Sequence, residues 1–286
     1  MDFKKYLENK RNIINRALDE YLLSEEKPPS IIHKAMRYSV FGGGKRIRPI
    51  LTLATAELFG KDTESVIKAA CGIELIHTFS LIHDDLPCID NDDFRRGKPS
   101  NHKVFGESIA VLAGDALLVS GFDLIIKNSD IKEIKKQSIL KLLKEISSYI
   151  GTENMLGGQV EDITLKSEDI TKADLTNLYM KKTAALLCLS IRAGAILSGA
   201  KQRQLKALSK YGENIGLAFQ IIDDMLDIMQ DQRDIGKPNY ANQYGIKESK
   251  SESERLIKEA KGFLKIFNNE ADALRSLADY LLTRKK

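Results

Sequence analysis

The sequence predicts an all-α protein. Apolar residues recur with helical period along nearly the whole chain, and no stretch shows the convincing alternation of a half-buried strand. Only six prolines occur in 286 residues, so long helices can run without interruption. A chain of this length can bury a large core, and no linker or shift in composition divides it. We therefore expect one helical-bundle domain over residues 1–286.

The predicted helices follow one another with short connections. Lys27, Pro28 and Pro29 separate the first two helices, and Ser30 can cap the second. Further along, a helix that is apolar on nearly all sides ends close to Pro87, which forces an irregularity. In chain order the expected helices span roughly residues 2–23, 30–40, 47–59, 62–85, 107–127, 131–150, 151–166, 174–199, 203–230, 249–267 and 269–284.

Composition narrows the function classes only mildly. The formal net charge is +4, which is too small to indicate nucleic-acid binding by itself. Three cysteines form no disulfide or zinc pattern, so a reducing cytoplasm is expected. The first residues lack the apolar region of a signal peptide. The longest apolar run, 183–200, contains Arg192 and is interpreted as a core helix, so we expect no membrane insertion.

The first acidic cluster lies in the stretch Ser80–Asn101, directly after the apolar helix. Its five aspartates are Asp84, Asp85, Asp90, Asp92 and Asp93, and Arg95, Arg96 and Lys98 follow. Buried carboxylates are costly unless cations meet them. Six residues rotate a helix by about 240°, so Asp84 and Asp90 can share a site only if the helix breaks, as Pro87 allows. The alternative is a charged surface loop with internal salt bridges.

A second acidic cluster occurs in FQIIDDMLD, residues 219–227. Asp223 and Asp227 are four residues apart and share a helix face with Gln220. Their mutual repulsion would be removed by a divalent cation, and Mg²⁺ prefers oxygen ligands. Taken alone, a solvated acidic helix end is the more common explanation.

Several basic segments are ambiguous when taken alone. The turn Gly42–Gly44 leads into Lys45, Arg46 and Arg48 at a helix start, which is a type of phosphate cradle. A glycine turn with solvated basic side chains is the more ordinary interpretation. The same holds for Lys181-Lys182-Thr183 and for Lys237, while His77 on a buried helix is more often a hydrogen-bonded core residue.

The order of these motifs resembles the trans-isoprenyl diphosphate synthase family. The segments are GGKRIRP, DDLPCIDNDDFRRGKPSNH, KKTAAL, FQIIDDMLD and GKP, and the likeness runs through nearly the whole chain. The resemblance implies an isoprenoid synthase-type bundle with a central cavity and its two aspartate motifs facing each other across the mouth. It further implies a homodimer that joins isopentenyl diphosphate to allylic diphosphates, dimethylallyl or geranyl, head to tail.

The resemblance also implies roles for individual residues. Magnesium, with Mn²⁺ as a possible substitute and about three ions in all, is assigned to Asp84, Asp90 and Asp223. Supporting contacts to the metal are assigned to Asp85, Asp224 and Asp227. The residues implied for the allylic diphosphate are Arg95, Lys182 and Lys237. Those implied for isopentenyl diphosphate are Lys45, Arg48, His77 and Arg96. Oxygens that stabilise the allylic cation are assigned to Thr183 and Gln220.

Two features bear on the length of the product and on how fully the chain matches the family's motifs. Phe79 and Ser80 lie five and four residues before Asp84, and helix geometry alone does not choose between them as the cavity floor. Bacterial farnesyl-forming members carry an aromatic residue at the position of Phe79, so farnesyl diphosphate is the expected product and geranylgeranyl diphosphate the second. After Lys237 the chain lacks part of the family's pattern, including a further diphosphate-binding lysine.

Three other function classes fit parts of the sequence. A terpene cyclase also uses an aspartate-rich helix, but its second metal motif mixes Asn, Ser or Thr, and Glu, where this chain has DDMLD. A non-catalytic subunit of a heteromeric synthase would usually have lost acidic residues, and both motifs are intact here. A helical nucleic-acid-binding protein fits the basic balance only weakly, because buried aspartates accompany the arginines.

Overall fold

The computed structural model describes residues 2–164, 170–230 and 239–283, without the side chains of residues 229 and 230. The described residues are almost entirely helical, so the predicted all-α class is confirmed. The α-helices are α1 Phe3–Tyr21, α2 Ser30–Val40, α3 Ile47–Glu57, α4 Ile67–Asp84, α5 Asn101–Phe105, α6 Glu107–Lys127, α7 Lys136–Ile150, α8 Met155–Thr164, α9 Lys172–Tyr179, α10 Ala185–Leu197, α11 Gln202–Gln230, α12 Tyr240–Phe263 and α13 Asp272–Thr283.

A short hairpin departs from the predicted helices-only pattern. Strand β1, Phe94–Arg95, pairs antiparallel with β2, Lys98–Pro99. The two residues between the strands, Arg96 and Gly97, both have positive φ angles, 55° and 77°. This is the backbone of a tight two-residue hairpin turn, which glycine favours. Strands of two residues are too short to leave an alternating pattern, which is why the sequence did not predict them.

The observed helices differ from the predicted ones at several ends, and α5 was not predicted; two differences bear on the site. The segment expected as one helix over 174–199 contains α9, a π-helical turn at Met180–Ala184, and α10. The helix expected from residue 249 begins at Tyr240 instead, because the Asn239 side chain caps its first turn by accepting from the Asn242 backbone N–H at 2.7 Å. A kink at Gly245, where φ is 77°, lies inside this helix.

The described chain divides into two compact units, and the first comprises Met1–Leu53 and Asp62–Ile139. Its centre is the contact of α4 with α6. A Cβ atom added to Gly72 would lie 2.6 Å from the Gly121 carbonyl oxygen, so two glycines let these helices approach closely. Helix α4 also packs on α1 and α2, so it is buried on several sides, which explains why it is apolar on nearly all sides.

The second unit comprises Ala54–Lys61 and Leu140–Lys286. Its longest helix, α11, packs on α10 and α12. A Cβ atom added to Gly216 would lie 2.5 Å from the Ala184 Cα atom, so α11 lies directly against the π-helical turn. This close approach positions the next turn of α11, which carries Gln220, beside Thr183. The prediction of one domain over 1–286 stays a prediction.

Helix α6 carries an unusual apolar surface. By length and composition, Glu107–Asp130 could cross a membrane, with 39% of its apolar window buried. Leu112, Val119 and Ile126 are spaced one heptad apart and are at least half exposed. We call these three residues the α6 stripe. The stripe is too regular to be scattered surface hydrophobicity, so it requires an explanation.

Candidate active site

Helix α4 ends at the first acidic cluster. Asp84 is its last residue, and the chain then turns so that the Asp90 backbone N–H donates to the Asp84 carbonyl oxygen at 3.0 Å. The predicted break at Pro87 is therefore present, and it brings together two residues that a continuous helix would separate. Both residues are partly buried. Their backbones are therefore adjacent, which suits two carboxylates that bind the same cations.

Asp85 is supported by a cation. The residue is 3% exposed and accepts hydrogen bonds from Arg95, through Nε at 2.9 Å and through Nη2. Arg95 also donates to Asp92 at 3.1 Å. Burial raises the pKa of Asp85, and the hydrogen bond from Arg95 acts against that rise. Sequence reasoning placed Arg95 on a diphosphate; here its guanidinium already pairs with the second aspartate of the motif.

The hairpin turn meets the glycine turn. Arg96 Nη1 donates to the Gly43 carbonyl oxygen at 2.6 Å. A Cβ atom at Gly44, where φ is +124°, would lie 2.7 Å from the same Arg96 nitrogen. Two basic segments that are fifty residues apart in sequence thus lie together, as expected if both bind one anion. A pocket of about 400 Å³ including its open mouth is lined partly by Asp85, Arg95 and Arg96.

His77 and Arg48, both assigned to isopentenyl diphosphate, are in contact. Arg48 Nη1 lies 3.0 Å from His77 Nε2, which accepts its hydrogen bond. Burial lowers the pKa of His77 well below its ordinary value, and the positive charge of Arg48 lowers it further. The imidazole is therefore neutral, and it can hold the guanidinium in place without adding charge.

Arg46 does not belong to the cradle in which the sequence placed it. Its side chain is buried and pairs with the equally buried Glu74 at 2.8 Å. It also donates to Asn15 at 2.9 Å and to the Val40 carbonyl oxygen at 2.6 Å. With every donor group directed into the core, Arg46 supports the fold, and the interpretation of three cradle cations is wrong for this one.

The residues proposed to limit chain length lie on α4. Phe79 is 6% exposed, and its ring meets His83 edge-on with 4.9 Å between centroids. It shares a helix face with Gly72 and Ile76, which contact α6. The Ser80 hydroxyl donates to the His77 carbonyl oxygen at 2.9 Å. Phe79 is therefore firmly packed, and its role as a cavity floor stays a prediction.

In the second unit, the two lysines of the π-helical turn are paired with α8. Lys182 Nζ lies 2.6 Å from Asp162 Oδ2, and Lys181 pairs with Glu161. A Cβ atom at Gly158 would lie 2.7 Å from the Lys182 backbone nitrogen, so α8 lies directly against the turn. π-Helical turns often occur at functional sites. The sequence analysis did not identify Glu161 and Asp162, although these two adjacent acids match the two adjacent lysines of the turn.

The second acidic cluster is held by a chain of hydrogen bonds. The Thr183 hydroxyl donates to Gln220 Oε1 at 2.7 Å, and Gln220 Nε2 donates to Asp224 Oδ1 at 3.0 Å. Asp224 Oδ2 accepts from the Tyr179 hydroxyl and, at 3.0 Å, from the Tyr240 backbone N–H. The predicted pair Thr183 and Gln220 is thus brought together. Sequence reasoning missed Tyr179 and the start of α12.

Asp223 and Asp224 differ in their surroundings. Asp224 is 5% exposed, whereas Asp223 is only partly buried. Burial raises the pKa of Asp224 to about 6, although its hydrogen bonds from Tyr179, Gln220 and Tyr240 act in the opposite direction. Of the two adjacent carboxylates, Asp223 is the one with access to a ligand, as its predicted metal role requires.

The carboxylates fit Mg²⁺ in chemical type. Among residues 2–164, 170–230 and 239–283, no group of three or more His, Cys, Asp or Glu could hold a metal by itself. Mg²⁺ commonly uses one or two protein carboxylates and completes its shell with water and substrate phosphates. Asp84 with Asp90, and Asp223, suit that mode. Lys237 lies outside the described residues, and α12 begins soon after it at Tyr240. The facing of the two acidic motifs stays a prediction.

Comparison with known proteins settles the family. A family model described as polyprenyl synthetase matches residues 29–243. The chain belongs to the polyprenyl synthetase family. It is 43% identical over 297 residues to a chloroplastic geranylgeranyl pyrophosphate synthase of Catharanthus roseus, covering 99% of this chain and 82% of the relative. It is 40% identical over 294 residues to a farnesyl diphosphate synthase of Bacillus subtilis (strain 168), covering 99% and 96%.

Solved structures agree with the sequence relatives. An FPP/GFPP synthase from Zymomonas mobilis superimposes with a TM-score of 0.88 at 37% identity, covering 98% of this chain and 99% of that one. The predicted family and its helical isoprenoid synthase fold are therefore confirmed, and this polyprenyl synthetase is a short-chain trans-prenyltransferase. The relatives' names differ in product length, so the family alone does not decide between farnesyl and geranylgeranyl diphosphate.

Proposed function

We propose that this polyprenyl synthetase adds isopentenyl diphosphate to dimethylallyl and then to geranyl diphosphate, and releases farnesyl diphosphate. The observation that best supports condensation is the end of α4. There the break after Asp84 brings Asp90 back, and the adjoining hairpin lays Arg96 on the glycine turn. Carboxylates for a cation and guanidinium groups for phosphates occur in one unit, which is the composition that a metal–diphosphate site needs.

We assign the metal to Asp84, Asp90 and Asp223. When bound, Mg²⁺ would supply charge neutralisation of the diphosphate leaving group. Lys45, Arg48, His77 and Arg96 would hold isopentenyl diphosphate. The allylic diphosphate would be held by Arg95, Lys182 and Lys237, and its phosphate oxygens would compete with Asp162 for the Lys182 ammonium group.

The second unit would stabilise the positive charge that forms as the allylic carbon–oxygen bond breaks. Gln220 Oε1 and the Thr183 carbonyl oxygen would face the cation, where oriented dipoles act strongly because water is excluded. The double bond of isopentenyl diphosphate then attacks C1 of the allylic cation and forms a new carbocation, which loses a proton to the released diphosphate and becomes the product. Asp224 takes no direct part in this proposal; it orients Gln220.

The proposed stop at fifteen carbons depends on Phe79. Its ring is buried and packed against His83, so it cannot move aside without disturbing the contact of α4 with α6. A closely packed interior resists an extra five-carbon unit. Geranylgeranyl diphosphate remains the second candidate, because the Catharanthus roseus relative at 43% identity bears that name.

We further propose that the protein acts as a homodimer in the cytoplasm and that a second copy covers the α6 stripe. An exposed apolar stripe with heptad spacing suits helix-to-helix packing across a two-fold axis. The three cysteines are free thiols, as is usual in a reducing compartment. Val119, at 68% exposed, is the most accessible residue of the stripe.

Val119→Lys tests the dimer. We expect this variant to be monomeric by light scattering coupled to size exclusion, whereas wild type is dimeric. Leu282→Lys, a comparable change at an exposed leucine of α13, is the control and should stay dimeric. A dimeric Val119→Lys variant, or a monomeric wild type that sediments with lipid vesicles, would contradict the proposal.

The reaction itself is tested by release of inorganic diphosphate from geranyl diphosphate in the presence of Mg²⁺. A condensing enzyme releases diphosphate only when isopentenyl diphosphate is also present. Release without isopentenyl diphosphate would instead indicate a cyclase. No release with any allylic diphosphate would indicate a non-catalytic subunit, and either result would overturn the proposal.

A further inference from the structure

The Tyr179 hydroxyl has no role in the function proposed above. Tyr179 is the last residue of α9, immediately before the π-helical turn, and its side chain is buried. The hydroxyl donates to Asp224 Oδ2 and accepts from the Tyr240 backbone N–H at 3.0 Å. It therefore joins three separate elements, α9, α11 and the first residue of α12, at one carboxylate oxygen.

The other oxygen of Asp224 determines how Gln220 is oriented. An ionised carboxylate can only accept hydrogen bonds, so the Gln220 group 3.0 Å from Asp224 Oδ1 must be its NH₂. The amide oxygen is then directed to the opposite side, where it accepts from the Thr183 hydroxyl at 2.7 Å. If the amide were reversed, its oxygen would face the carboxylate and its NH₂ would face a developing cation, and both contacts would be repulsive.

Asp224 can hold Gln220 only if the carboxylate cannot rotate. A rotation about its last side-chain bond would carry Oδ1 away from Gln220 Nε2. The two donors at Oδ2, the Tyr179 hydroxyl and the Tyr240 N–H, prevent that rotation by fixing the second oxygen. Removing one of these donors leaves a single backbone N–H to hold that oxygen.

We propose that Tyr179 is a positioning residue, whose hydroxyl fixes Asp224 so that Gln220 presents its oxygen, and not its NH₂ group, to the allylic cation. This inference rests on the proposed condensation. It does not require Tyr179 to touch the substrate. Since stabilisation by an oriented dipole depends on direction, a loosened Gln220 should affect the cation more than the neutral substrate.

Tyr179→Phe removes the hydroxyl and keeps the ring. Tyr211→Phe is a matched control in the same unit, because Tyr211 is also buried and its hydroxyl donates to the Leu274 carbonyl oxygen at 2.7 Å. Each variant removes one buried hydroxyl and the hydrogen bond that it donates. The first probe is an uncleavable thio analogue of geranyl diphosphate, which is neutral at C1. The second is an analogue that carries an ammonium group near C1, and it is bound in the presence of inorganic diphosphate. Dissociation constants are measured with Mg²⁺ present.

We expect Tyr179→Phe to weaken binding of the ammonium probe roughly tenfold relative to the thio probe, and to lower kcat by a similar factor with KM nearly unchanged. In Tyr211→Phe the ratio of the two dissociation constants should equal that of wild type. In a Gln220→Ala background, Tyr179→Phe should have no further effect on the ratio. If Tyr179→Phe does not fold, Asp224→Asn should likewise weaken binding of the ammonium probe relative to the thio probe.

Equal ratios in Tyr179→Phe and Tyr211→Phe would overturn the inference, as would a full additional loss in the Gln220→Ala background. Those results would leave condensation by the wild type intact. A wild type that neither turns over geranyl diphosphate nor binds either probe would instead overturn the proposed function, and the inference with it.

Discussion

The two acidic motifs are alike in sequence and differ in how the structure supports them. In each motif the second aspartate of a pair is almost fully buried: Asp85 at 3% exposed and Asp224 at 5%. Asp85 is met by a guanidinium group, that of Arg95. Asp224 is met by neutral donors, namely a phenol, an amide and a backbone N–H.

The difference suggests a division of labour. The surroundings of Asp85 contain two arginines, Arg95 and Arg96, which suit the binding of anionic phosphates. The hydrogen-bond donors that meet Asp224 are oriented neutral dipoles, which suit a carbocation because the Gln220 oxygen at the end of this chain can face it. The same pair of letters in a sequence can therefore mark two kinds of chemistry, and the neighbours that decide between them are distant along the chain.

Replacing a metal carboxylate should have the largest effect, and it should be the same for both motifs. Asp84→Ala or Asp223→Ala is expected to lower kcat by about a thousandfold or more, because each would remove a proposed ligand of the ion that neutralises the leaving group. The helical circular-dichroism spectrum should remain, since neither side chain is part of the core. Near wild-type turnover in either variant would show that the metal assignment is wrong.

The basic residues should differ in which of the two substrates they bind. Arg96→Ala and Lys45→Ala should raise the KM for isopentenyl diphosphate more than that for the allylic diphosphate, and Lys182→Ala should do the reverse. Loss of one charge-assisted contact is worth about 1.5–3 kcal/mol, or roughly ten- to a hundredfold in affinity. Steady-state kinetics with each substrate varied in turn gives the comparison. Equal weakening of both substrates in all three variants would rule out the two-site assignment.

The contrast between Asp85 and Asp224 can be tested by measuring how each substitution changes the free energy of unfolding. Asp85→Asn leaves the Arg95 guanidinium without its main partner; because Arg95 is partly exposed and screened by solvent, we expect a loss of about 1–2 kcal/mol. Asp224→Asn removes a desolvated charge whose partners in the described part of the chain are neutral donors, so the change should be smaller and independent of salt. Urea unfolding at two salt concentrations measures both. A larger, salt-dependent loss in Asp224→Asn would reverse the comparison.

Much of this arrangement was predictable from local sequence. Helical period gave the all-α class, and Pro87 after Asp84 gave the break that brings Asp90 back. Arg46 was not predictable, because its partner Glu74 lies on another helix and only packing shows that both are buried. The hydroxyl of Tyr179 was missed for the same reason, since its contact with Asp224 spans 45 residues of sequence.

The glycine turn should give a smaller effect. Gly44→Ala places a Cβ atom 2.7 Å from the Arg96 guanidinium and should raise the KM for isopentenyl diphosphate several-fold by displacing it. Gly60→Ala is the matched control: its φ is also positive, at +71°, and a Cβ atom there meets nothing within 4 Å. Backbone strain should lower the stability of both variants by about 1 kcal/mol. The assignment of Arg96 is wrong if the two variants bind isopentenyl diphosphate equally well.

We propose that this chain joins isopentenyl diphosphate to an allylic diphosphate and stops at fifteen carbons, and the length of its product tests this directly. Radiolabelled isopentenyl diphosphate, dimethylallyl diphosphate and Mg²⁺ are incubated with wild type and with Phe79→Ala, and the dephosphorylated products are separated by chain length. We predict mainly farnesol from wild type and a shift to twenty carbons or more from Phe79→Ala, because the buried ring no longer closes the cavity. A wild type that makes mainly geranylgeraniol, or a Phe79→Ala variant with an unchanged product distribution, would contradict the proposal that Phe79 ends chain growth at fifteen carbons.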